Sequence, residues 1–95
     1  MFYFVMVNAP SGITIEDIQR ALYVYPVQTY YRIAPNAWIV KTAPWVGNQA
    51  SVISARLQPL VAPSGRHFVS QINVGDREGW MDKEFWNWVN TNGLS

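Results

Sequence analysis

The sequence predicts an α+β domain whose elements run strand, helix, strand, strand, helix, strand, helix. Three observations carry that reading. The opening stretch Met1-Phe2-Tyr3-Phe4-Val5-Met6-Val7 is apolar on both parities, the pattern of a strand covered on its two faces rather than wetted on one. Two later segments repeat apolar residues at spacings of three and four, the period of a helix with one buried stripe. Pro, Gly and Asn clusters then divide the chain into short elements. At 95 residues this is one domain, and with 49% hydrophobic residues it can bury a core without staples.

The first strand is central, and Asn8-Ala9-Pro10-Ser11-Gly12 turns the chain after it. Thr14 caps a helix whose first turn carries Glu16 and Asp17, acids that complement the helix dipole. Ile15, Ile18 and Leu22 form its stripe with Ala21 beside them, and Pro26 ends it by Tyr25. Residues 27–33 are rich in β-formers, Ala34-Pro35-Asn36 is a turn, and residues 37–42 are again apolar on both parities until Lys41. These two strands read as an antiparallel hairpin with the second one central.

After the loop at 43–47, Asn48 caps a helix over residues 49–60. Ala50, Ile53, Leu57 and Leu60 make its stripe, with Val61 adjacent, and Pro59 is expected to end or bend it. Residues 66–74 form an edge strand, with Phe68, Ser70, Ile72 and Val74 on the apolar side and Val69, Gln71 and Asn73 on a wetted one. Asp82 caps a last helix over residues 83–90, with Gly93 as terminator. On it Phe85, Trp88 and Val89 share a face and Trp86 points elsewhere.

The first six elements are the split β-α-β-β-α-β pattern of a ferredoxin-like sandwich, here a single domain over residues 1–95 with an additional C-terminal helix. That layout puts both crossover helices on one sheet face. Two strands are apolar on the other face as well, so a second copy of the chain or the Trp-rich final helix must cover it. A symmetric homodimer is the expectation, since two-fold pairs are the commonest oligomers.

Trp38-Ile39-Val40-Lys41-Thr42, Ile53-Ser54-Ala55-Arg56-Leu57-Gln58-Pro59-Leu60, Gly79-Trp80-Met81 and Phe85-Trp86-Asn87-Trp88-Val89 resemble the small bacterial and phage proteins called SinR-like. Those are similar to the small ferredoxin-like subunit of the CRISPR spacer-acquisition complex. The resemblance covers most of the chain and implies the fold and a homodimer, with metal-dependent nuclease activity in some members. In those subunits the first strand ends in a metal-holding aspartate. The corresponding position here is Asn8, and a neutral amide is a poor ligand for a hard divalent cation.

The residues themselves offer little chemistry. Cysteine is absent, which excludes disulfides, thiolate metal sites and a cysteine nucleophile and fits a cytoplasmic setting. The first stretch is too short to span a bilayer and lacks the flanks of a secretory signal. A formal charge of +1 with no basic run gives no electrostatic footprint for nonspecific nucleic-acid binding. His67 is the single histidine, expected to be solvated at a strand start. Asp76, Glu78, Asp82 and Glu84 cluster in sequence and could hold Mg²⁺, but with Arg77 and Lys83 among them they read first as a helix cap and a solvated loop. Gly75 to Gly79 lacks a phosphate-loop ending, and no serine has a nucleophile-elbow context. An enzyme is therefore the weaker expectation, and no cofactor or metal is expected.

Aromatic content, 15% against 14% charged residues, is the unusual feature. Trp45, Trp80, Trp86, Tyr30 and Tyr31, with Arg32, Lys41 and Arg77, are the candidate binding residues. Such a set suits a protein interface, where Trp, Tyr and Arg are enriched, or a base-stacking platform. Plain packing accounts for Trp38 and Trp88. Two functions follow as expectations: a non-enzymatic module binding a partner protein, or a nucleotide or nucleic-acid binder. A degenerate metal-dependent nuclease is third. The resemblance adds a context for the first, a phage-encoded inhibitor of a bacterial defence system.

Overall fold

A computed structural model describes residues 1–24, 26–43, 49–73 and 79–93. The elements are β1 (Phe2–Asn8), α1 (Ile15–Leu22), β2 (Val27–Ala34), β3 (Ala37–Thr42), α2 (Gln49–Val61), β4 (Arg66–Ile72) and α3 (Lys83–Gly93). The four strands form one antiparallel sheet in the order β2-β3-β1-β4. β1 and β2 therefore run parallel with β3 between them, and β3 and β4 run parallel with β1 between them. Each such parallel pair is joined by a crossover helix, α1 for the first and α2 for the second.

β1 is central because both its parities are apolar. Tyr3, Val5 and Val7 join Trp38 and Val40 of β3, Ile18 and Leu22 of α1, and Ile53, Leu57 and Val61 of α2 in the larger core. Phe2, on the opposite parity, joins Ile39, Phe85 and Val89 in a second core under α3. The chain's own last helix thus covers part of the second sheet face, so that covering needs no second copy.

Local chemistry sets the helix ends. The Thr14 hydroxyl accepts from the Asp17 amide at 3.1 Å, and the Asp17 carboxylate accepts from the Thr14 amide at 3.0 Å, a reciprocal cap. α1 stops at Leu22, earlier than Pro26 alone requires, and the Tyr23 amide closes it on the Gln19 carbonyl at 2.9 Å. Pro59 does not end the helix: α2 runs on to Val61, and Ala62 donates to Gln58 at 2.9 Å. A proline so near a helix end forfeits one bond, to the carbonyl of exposed Ala55.

At the start of α2, Gln49 is fully buried. Its amide accepts from the Thr42 hydroxyl and donates to the Ala43 carbonyl, pinning the helix to the end of β3. Thr42 in turn donates its amide to the Met1 carbonyl at 2.8 Å. The other end of α2 returns to β4 through Gly65. A Cβ there would lie 2.6 Å from the Asn8 carbonyl oxygen, 2.8 Å from that of Val61 and 2.9 Å from the Pro10 ring. Glycine is required because backbone approaches from two sides.

Three expectations follow. Gly65→Ala should cost roughly 2 kcal/mol in denaturant unfolding, since two of the three obstructing atoms are backbone. Thr14→Ala should cost about 1 kcal/mol as a lost cap. The Asp17 carboxyl is held below its ordinary value, first by the Thr14 amide and then by the Thr14 side chain. A depressed carboxyl contributes stability above its unfolded pKa and loses it as pH falls through the folded one. Asp17→Asn should therefore flatten the loss of stability below about pH 4, measured by thermal melts across pH.

Candidate functional site

The candidate residues do not gather in one place. In β2 the register sets Tyr30 against Val40 and Arg32 against Trp38, both on the side of α1 and α2. Tyr30 packs on the larger core and meets Tyr23 edge-on at 5.7 Å. Arg32 is exposed, and its guanidinium donates to the Pro35 carbonyl at 2.9 Å across the β2–β3 turn. A shallow depression lined by Arg32, Ile33, Ala34 and Pro35 lies there. Tyr31 and Lys41 point to the opposite face, toward α3, where Lys41 sits across from Phe2. Trp45 and Arg77 lie outside the described residues, as do Asn48, Asp76 and Glu78.

The α3 face is aromatic. Tyr31 meets Phe85 edge-on at 5.6 Å and Trp88 at 5.9 Å, and Phe2 meets Trp88 edge-on at 6.1 Å. The Trp88 indole N–H donates to the Thr29 hydroxyl at 3.4 Å. Burial under the helix, then the Asp82 and Glu84 carboxylates at its start, hold the Tyr31 phenol above its ordinary pKa. Trp86, outside the face expected for Phe85, Trp88 and Val89, is half-buried, its ring edge-on to Phe85 at 5.2 Å.

Trp80 is the opposite case, with its side chain fully (100%) exposed, and Met81 beside it is exposed too. Across the sheet, α3 lies against β2, and its core takes in Phe2 of β1 and Ile72 of β4 but not Phe4, Met6 or Phe68. Phe4 and Met6 are half-buried and Phe68, across from Met6, is 56% exposed. The expected polarity of β4 holds at most positions: Ser70 and Ile72 are half-buried and Gln71 and Asn73 exposed, while Phe68 is exposed and Val69 packs on the larger core.

His67 also departs from expectation. It is half-buried on the α2 side, with Nε2 2.6 Å from the Ser54 hydroxyl. Thirteen residues and an element change separate the pair in sequence, and no spacing announces it. Nucleophile activation needs a third group orienting the base, and among the described residues no carboxylate bonds the His67 ring. The pair ties α2 to β4. Asn8 is exposed at the end of β1 across from Arg66. Among the described residues no three His, Cys, Asp or Glu side chains come together. No helix among them is long and apolar enough to cross a membrane.

No family model, curated protein or solved structure matches the chain.

The aromatic residues divide into structural and exposed, and mutation should separate them. Phe85→Ala should lose about 3 kcal/mol in denaturant unfolding, because Phe85 is buried between Tyr31 and Trp86. Trp80→Ala should stay within about 0.5 kcal/mol of the parent.

Proposed function

We propose that this chain is a non-enzymatic interaction module that binds a partner protein through the exposed apolar side chains of its α3 face. The observation that carries the reading is Trp80, a fully exposed indole beside exposed Met81, on the approach to a helix whose aromatic side chains are all at least half-buried. Hydration of so large an apolar side chain is costly, and such side chains concentrate at the centres of protein interfaces. The open strip of Phe4, Met6 and Phe68 extends the apolar surface of the same sheet face.

Nucleic-acid stacking is less well supported. It needs basic and aromatic side chains interleaved on one free surface. Here Tyr30 and Arg32 belong to the side opposite Tyr31 and Lys41, and Tyr31 is packed under Phe85 and Trp88.

The finer fold we propose is the ferredoxin-like sandwich. Two interlocked crossovers, β1-α1-β2 around β3 and β3-α2-β4 around β1, support it. With that fold and its likeness to the SinR-like proteins goes a cellular reading, a homodimeric phage inhibitor of a bacterial defence system acting in the cytoplasm. Asn8 at the end of β1 suits an inhibitor better than a nuclease, since it offers no carboxylate to a metal.

The test is capture of the partner from host lysate by the tagged chain, with Trp80→Ala and Trp86→Ala as variants whose folding is checked by melting. Trp80→Ala should weaken capture at least about tenfold, as loss of a central interface tryptophan does. Capture at wild-type strength by both variants would remove the proposed surface. A melting-temperature rise with nucleotide, of the size roughly 2.7 kcal/mol would give at a hundredfold excess over the dissociation constant, would favour the ligand-binding alternative instead.

A further inference from the structure

The sheet has two edges, and the chain treats them differently. β2 is irregular: its register against β3 shifts between Val27 and Thr29 and again between Arg32 and Ala34. Irregularities of this kind twist an edge away from further pairing. β4 carries none. Its seven residues, Arg66 to Ile72, run opposite Asn8 to Phe2 without a shift. Its other side meets no strand among the described residues. It contains no proline and no lysine, the usual guards of an open edge. On one side of it stands Phe68, 56% exposed, with Ser70 and Ile72 on the same parity.

We propose that the occupant of this edge is β4 of a second copy, paired antiparallel about a two-fold axis at Ser70, so that two four-stranded sheets join into one. The proposal rests on the interaction-module reading and gives the homodimer a location. The strand's own sequence chooses the copy and the direction. The pairing groups are backbone amides and carbonyls, which only another extended strand satisfies together. A two-fold axis sets the same patch against itself, as a closed pair requires. Centred on Ser70, it puts Phe68 of each copy directly across from Ile72 of its mate, on one face of the joined sheet. An aromatic–branched pair of this kind forms twice and covers the exposed ring. Charge selects antiparallel over parallel. Arg66 is the strand's one formal charge. Parallel pairing brings the two guanidinium groups together, whereas this register holds them eight positions apart, about 27 Å.

The absence of cysteine makes the geometry directly testable. Residues across a two-fold antiparallel centre have Cα atoms about 4.5–5.5 Å apart, within the span of a disulfide. Ser70→Cys should therefore form an intermolecular disulfide under mild oxidation in the full chain. Val52→Cys, exposed on α2, is the control and should not. Wild-type mass should rise from monomer to dimer with concentration, and β4 amide exchange should slow in step. Phe68→Lys should raise the dimer dissociation constant at least about tenfold while its melting curve stays two-state. A wild-type protein that remains monomeric at several hundred micromolar would overturn the proposal, with the scale set by weak pairs near millimolar affinity. So would a dimer in which Ser70→Cys links no faster than Val52→Cys, or one that Phe68→Lys leaves intact. Partner capture is measured separately, on the wild-type chain against Trp80→Ala. Capture retained through Trp80 with no wild-type dimer sinks this edge and leaves the module standing. A dimer without capture does the reverse.

Discussion

The structure depends on one strand being covered on both faces. In β1, Tyr3, Val5 and Val7 are buried toward α1 and α2, and Phe2 is buried toward α3. A strand with this pattern cannot lie at an edge or on a wetted surface without exposing one parity to water. It takes the sheet's interior, with β3, the other strand apolar on both parities, beside it. The two crossover helices then fall on one face and leave the second face to whatever chain remains. Among the described elements α3 remains, and its Phe85 and Val89 complete the second core.

The two cores are built differently. The larger is aliphatic around a fully buried Trp38, whose indole N–H donates to the Gln19 side chain at 3.2 Å. Buried Gln49 and Thr42 bond one another, so the polar groups closed in by α2 are satisfied. The second core is small and aromatic, with Phe2, Tyr31, Phe85, Trp86 and Trp88 meeting mostly edge to face. A few rings can close a thin layer, since each buries a large area and edge-on contact adds to it. The helix lies against β2, and Phe4, Met6 and Phe68 on the same sheet face stay only partly covered.

Much of this was legible in the sequence. β3 keeps the bounds that its composition predicts, because Pro35-Asn36 fixes one end and the change of pattern after Thr42 fixes the other. Thr14 with Asp17 three residues on is a local signal, and the cap forms as read. What failed to read was non-local. Period-two alternation in β4 says which residues share a side. It does not say how far each side is covered: Phe68 is exposed on the apolar parity and Val69 half-buried on the other. Gln49, Ser54 and His67 found partners on other elements, and polar residues in a helix carry no mark of such distant contacts. Among the candidate binding residues, parity alone separates Tyr30 and Arg32 from Tyr31 and Lys41, and the register would have shown it.

Covering the second face with α3 changes what a second copy would have to do. A bare apolar face would demand a partner for solubility, and a dimer inferred from it would be obligate. With Phe2 and Ile39 already buried, the monomer hides its most apolar surface, and what stays open is a backbone edge and a few isolated side chains. Surfaces of that kind associate by choice of partner rather than by necessity, since a lone exposed ring is tolerated in water while a whole sheet face is not. The same logic separates Trp86 from Trp80. One is half-buried against Phe85 and spends its area on holding α3 to the sheet. The other, six residues earlier, contributes nothing to that packing and keeps its whole surface for an encounter.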